Sequence, residues 1–147
     1  MQSYRQMNML YEEKTELIIK AFYKVYNTLG YGFLEKVYHN AFLLELDNSG
    51  FDLKSQFPVK VNYEGEQVGE YYADIVVDDC IIIENKAAEA LREEHEYQLI
   101  NYLKATEMEV GLLFNFGKTP SFRRKYFTNE RKSNIKNLNT DTTNCNL

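Results

Sequence analysis

The chain has 147 residues, 44% hydrophobic and 27% charged, which suits one compact domain with a sizeable core. No apolar run approaches the ~18–20 residues needed to cross a bilayer, and the opening MQSYRQMNMLYEEK has no apolar core of a secretory signal. A net charge of −5 argues against a broad basic surface that grips nucleic acid, because neutralising phosphates takes Lys and Arg.

Two cysteines, Cys80 and Cys145, lie far apart with no zinc spacing and are expected to form no disulfide framework, which fits a reducing cytoplasm. Residues 14–128 are expected to form a single domain. An extension, residues 1–13, precedes it, and an Asn-rich polar tail, residues 129–147, is expected to be disordered.

In chain order, Thr15 to Leu29 reads as a helix, with Ile18, Ala21, Phe22, Val25 and Leu29 on one face. Gly30 and Gly32 end it. Phe33 to Asp47 reads as a second helix. Glu35, Tyr38 and Phe42 share one face, and the neighbouring stripe of Leu34, Val37, Ala41 and Leu44 is expected to pack inward. Glu35 then stands at the edge of the buried face, where a first-turn acid is commonly only a partner of the helix dipole. His39 reads as surface.

Phe51 to Tyr63 reads as a first strand, placed at an edge because Pro58 lacks an N–H. After a turn at Glu64-Gly65-Glu66, Gln67 to Val77 and Ile81 to Lys86 read as the second and third strands. The run Cys80-Ile81-Ile82-Ile83 marks a central strand covered on both faces. Ala88 to Ala105 reads as a helix with His95, Gln98 and Tyr102 on one face. Glu109 to Phe116 is a strand, broken at Gly117-Lys118-Thr119-Pro120. Ser121 to Thr128 is a last strand or a short basic segment. Lys118, Arg123, Arg124, Lys125, Arg131, Lys132 and Lys136 cluster near the C-terminus, either as a solvated tail or as a substrate-contacting strip.

The stretch Tyr71 to Lys86 carries the chemistry. Its polar turn, Asp78-Asp79-Cys80, makes a three-residue hairpin loop that pairs Val77 with Ile81 and sets Asp74 directly opposite Glu84. Lys86 shares that face, because strand side chains alternate. A two-residue loop would instead pair Asp74 with Ile83 and turn Glu84 to the other side. Opposed like charges destabilise a sheet, and a hard divalent cation with oxygen ligands removes that penalty. The plainer alternative is a cross-strand ion pair between Lys86 and one acid.

The order helix, helix, three antiparallel strands, helix, strand, with Asp74 and Glu84-x-Lys86 on neighbouring strands, resembles the PD-(D/E)XK nuclease core, an α/β fold with a mixed sheet and flanking helices. More narrowly, Gly32-Phe33-Leu34-Glu35-Lys36-Val37-Tyr38 resembles the signature of the GxxExxY family of that superfamily. The motifs around Asp74, Glu84-Asn85-Lys86 and His95 to Tyr102 follow in the same order.

The resemblance implies metal-assisted hydrolysis of phosphodiester bonds with Mg²⁺ or Mn²⁺. Asp74, Glu84 and the Asn85 backbone carbonyl would ligate the metal, Lys86 would be the catalytic lysine, and Glu35 an accessory acid. Gln98 would steady the site. Tyr38, His95, Tyr102, Arg123, Arg124 and Lys125 would contact a nucleic-acid substrate, DNA ahead of RNA. Ala73 replaces the proline of the superfamily's name, and Asn85 stands where an apolar residue is usual; its side chain should face the opposite side of the sheet. Two other readings stand beside this one: a non-catalytic domain that binds nucleic acid or a protein partner, and a homodimer built on an exposed strand edge.

Overall fold

The computed structural model describes residues 4–134, with side chains described for residues 11–132. Three helices and five strands follow in the order α1 (Tyr4–Leu29), α2 (Glu35–Asn48), β1 (Leu53–Tyr63), β2 (Glu66–Val77), β3 (Ile81–Lys86), α3 (Glu93–Lys104), β4 (Val110–Asn115) and β5 (Ser121–Tyr126). The strands form one sheet in sequence order. All neighbours are antiparallel except β3 and β4. A parallel pair needs a crossover, and α3 supplies it. This is the mixed sheet with flanking helices that the sequence pattern implies, with β1 at the edge and β3 at the centre.

The helices cover both faces of the sheet. Ile18 and Phe22 of α1 and Tyr38, Phe42 and Leu46 of α2 pack on Ile75, Ile81, Ile83, Leu112 and Phe114. On the other face Leu99, Tyr102 and Leu103 of α3 meet Val76, Ile82 and Leu113. β3 is therefore buried on both sides, as its unbroken apolar run predicts.

Four readings of the elements need correction. First, α1 begins at Tyr4, well before Thr15, and Tyr11 is a buried core residue. Second, the inward face of α2 is Tyr38, Phe42 and Leu46, whereas Leu34 and Leu44 are 79% and 69% exposed. The larger aromatic side chains set the phase of the helix. Phe42 meets Phe114 edge-on at 5.2 Å, and Phe22 packs against the same ring at 4.6 Å.

Third, α3 starts at Glu93, because the segment after Lys86 is held out of helix by the buried Asn115. Its Oδ1 accepts the Ala88 N–H at 2.9 Å and its Nδ2 donates to the Ala88 carbonyl at 3.0 Å. Gly117 completes that clamp. A Cβ there would lie 2.0 Å from the Ala88 oxygen.

Fourth, Asn129–Asn134 forms a 3-10 turn where a disordered tail is expected. Lys132 donates to the carbonyls of Thr106 and Met108 and to Asn129 Oδ1, and the Arg131 guanidinium lies over the Phe127 ring. The rest of the expected tail, with Lys136, lies outside the described residues.

The two hairpins form as the turn residues suggest. Glu64 and Gly65 both take left-handed backbone angles, φ 50° and 83°. The acids of the second turn are used structurally. Asp78 accepts the Asp52 N–H and pairs with Lys14 at 2.9 Å, while Asp79 pairs with Lys54 at 2.6 Å. Cys80 is buried and is not a free thiol, so the expectation of unbridged cysteines does not hold for it. No helix among the described residues is long and apolar enough to cross a membrane.

Candidate functional site

The register of the second hairpin follows from its three-residue loop. Val77 pairs with Ile81, Val76 with Ile82 and Ile75 with Ile83. One step further Asp74 stands opposite Glu84, but there the backbone ladder stops. Two side chains take over its hydrogen bonds. Glu84 Oε1 accepts the Asp74 N–H at 2.9 Å, and Asp74 Oδ2 accepts the Asn85 N–H at 2.7 Å. These two side-chain bonds bridge the strands where the backbone ladder ends, and two acids lie in the fork.

A kink in β2 opens that fork. Ile75 and Val77 face α1 and α2, yet Ala73 faces the α3 layer. Strict alternation would send Ala73 and Ile75 to the same side. The switch falls at Asp74. Its neighbour across the β1–β2 pair, Gln56, takes φ 54° and drops out of the ladder between the Ser55 and Phe57 rungs. Left-handed angles are uncommon for a residue other than glycine, and such strain gathers at functional sites.

Electrostatics mark the fork as well. Glu84 is 4% exposed, and its pKa is pushed up to about 8. Burial is the main cause and the Asp74 charge adds to it. The bond from the Asp74 N–H and the Lys86 ammonium act the other way, and Glu35 raises it slightly. A buried acid beside a second acid holds its proton until a cation offsets the charge.

Glu35 reaches this point from the first turn of α2, where its carboxylate accepts the Ala87 N–H at 3.3 Å, just past the end of β3. From the other face, Gln98 Nε2 donates to the Tyr102 hydroxyl at 2.9 Å. Tyr102 is pushed up to about 12 by burial and then by Glu84, so its hydroxyl stays protonated and able to donate. Glu35, Asp74, Glu84, Lys86, Gln98 and Tyr102 thus converge on the end of β3.

Other sequence-predicted residues sit elsewhere. Tyr38 is fully buried. Its hydroxyl donates to the Gly30 carbonyl and accepts the Phe33 N–H, and its ring stacks on Phe116 at 4.8 Å. It pins the loop that delivers Glu35, with its ring inside the core. His95 caps α3, its Nδ1 accepting the Arg92 N–H at 3.1 Å. Lys125 is paired with Glu96 at 2.6 Å. Arg124 takes the opposite face, across from Leu112, with a buried Nε that finds no partner among the described residues. Arg123 is exposed and shares the rung of Glu84 through Leu113, two strands away, or ~10 Å.

Sequence reasoning missed His39. It lines a cavity of about 430 Å³ with Glu35, Gln56, Asp74 and Asn85. Asn85 Nδ2 donates to His39 Nδ1 at 3.3 Å, and His39 Nε2 lies 3.2 Å from Ser55 Oγ. The signal was present, since His39 follows Glu35 by one helical turn. Asn85 does project to the α2 face, opposite Glu84, as alternation requires. Among the described residues no three His, Cys, Asp or Glu side chains form a ready-made ion cluster.

A mixed sheet with helices on both faces, carrying paired acids and a lysine at the fork of two central strands, defines a nuclease-like α+β domain. A family model described as the PD-(D/E)XK nuclease superfamily matches residues 12–126, most of the chain, and the chain belongs to that superfamily. Membership points to nuclease-type chemistry on nucleic acid, for which this class generally uses divalent metals. No curated protein and no solved structure matches the chain.

Proposed function

We propose that this protein is a metal-dependent nuclease that hydrolyses phosphodiester bonds, with DNA ahead of RNA as its substrate, and that it belongs to the GxxExxY family on the strength of Gly32, Glu35 and Tyr38. The reading rests above all on Asp74 and Glu84 meeting across the fork with Lys86 one step along the same face. We place its activity in the domain expected over residues 14–128, whose core Tyr11 of α1 also joins.

The donor set fits Mg²⁺ or Mn²⁺. It is all oxygen, and each acid spends one oxygen on a backbone N–H, leaving the other for a ligand. The Asn85 N–H points toward β2. A strand residue's N–H and C=O point the same way, so its carbonyl opens into the same fork. Asp74, Glu84 and that carbonyl would hold the ion, which when bound polarises the phosphate and acidifies a water.

The remaining roles belong to the chain. Lys86 donates to the charge that grows on the phosphate oxygens or orients the attacking water. Glu35, tied to the Ala87 N–H, presents a third, accessory acid from the helix side. Gln98 holds the Tyr102 hydroxyl so that its proton points toward the acids. Replacing Glu84 by Ala should abolish Mg²⁺-dependent cleavage with the far-ultraviolet spectrum unchanged. Equal cleavage by both proteins rejects the assignment. The net charge of −5 favours a second reading, a non-catalytic binding domain with a partner. It requires binding with no metal-dependent turnover even in the wild type.

A further inference from the structure

The β1–β2 hairpin runs past the end of β3, since Glu66 to Tyr72 pair with β1 alone. This free arm and the outer side of α3 enclose a groove of about 840 Å³. We infer that the groove holds an unpaired base of the same strand whose phosphate is cut, so that the substrate is single-stranded at the site; this rests on the nuclease reading above.

The walls suit a nucleobase. Tyr71 on the arm and Tyr97 on the helix are 51% and 58% exposed, large rings left in water on facing sides of one cleft. Aromatic faces accept any base by stacking. Gln98 and Asn101 line the same cleft, and an amide presents both donors and an acceptor to a base edge. The volume is that of a small-ligand cleft, enough for one or two bases. Bases inside a duplex already stack on each other and offer no free face.

The groove also runs into the site. Gln98 and Tyr102 belong to both, the rings of Tyr71 and Tyr102 are 5.8 Å apart, and Tyr71 lies three residues before Asp74 on the same strand. A strand whose phosphate lies at the fork therefore has its neighbouring base beside Tyr71. Charge agrees. Glu94 and Lys104 offset each other along the rim, so binding here draws on stacking more than on phosphate neutralisation.

The test is the affinity of the full chain for fluorescently labelled oligo-dT, oligo-rU and a DNA duplex of equal length, measured by anisotropy without divalent metal so that nothing is cut. Wild type should bind a single strand at least tenfold more tightly than the duplex. The Tyr71→Ala/Tyr97→Ala double variant should lose tenfold or more, and Tyr71→Phe/Tyr97→Phe should keep wild-type affinity. Equal or tighter duplex binding, no binding to any probe, or an unchanged affinity in a folded Ala double variant overturns the inference. Tyr-dependent binding by a wild type that never cleaves sinks the nuclease reading and leaves the groove standing. Cleavage that needs Glu84 but ignores both tyrosines does the reverse.

Discussion

Glu84 couples the site to stability at the scale of a single residue. Its folded pKa lies near 8 against an ordinary 4.5, so between those values the native protein keeps a proton that the unfolded chain releases. Stability is then highest below the unfolded value and falls as pH rises toward 8. Thermal melts in EDTA should show a melting temperature that declines between pH 5 and pH 8.5, with Glu84→Gln flattening the decline. A wild-type curve as flat as the variant's would show that Glu84 titrates normally. The sequence exposed this residue and its partners, because the length of the Asp78-Asp79-Cys80 loop fixes the register and alternation does the rest. It did not expose the kink at Asp74. The string Ala73-Asp74-Ile75 reads as ordinary alternation, and nothing about Gln56 announces a left-handed backbone.

Among the elements, the packing of Asn115, Gly117 and Ala88 decides where β3 hands over to α3. Gly117→Ala would drive a Cβ into the Ala88 oxygen, a backbone atom that cannot swing aside. Overpacking of this kind costs ~1–3 kcal/mol, and the variant should lose about that much in urea denaturation. A loss below a few tenths would mean that the loop moves freely. The start of α3 was not legible for the same reason, since Ala88-Glu89-Ala90-Leu91 has high helix propensity and the clamp comes from a strand far along the chain. The phase of α2 was also misread. Its two apolar stripes are both helical in period, and only the aromatic cluster of Phe22, Phe114 and Phe116 selects the one bearing Tyr38 and Phe42. The Gly32-to-Tyr38 motif thereby divides in two. Glu35 goes to the site, and Tyr38 goes to the core to hold the loop that carries it.

For the whole molecule, three layers place the acids where the central strands separate, with one helix reaching the fork from each face. The layer order was legible from hydrophobic periodicity. The extents were not, because α1 reaches back to Tyr4 and the turn at Asn129–Asn134 is tied down by polar contacts of Lys132 that leave no apolar pattern. Metal-dependent hydrolysis here requires the fork to be an ion site. A crystal grown with Mn²⁺ and measured for anomalous scattering tests this directly. One peak should lie ~2.1 Å from an oxygen of both Asp74 and Glu84, with the Asn85 carbonyl as a further ligand. No peak there at millimolar Mn²⁺, with both carboxylates still bonded to the opposite backbone N–H groups, would contradict it.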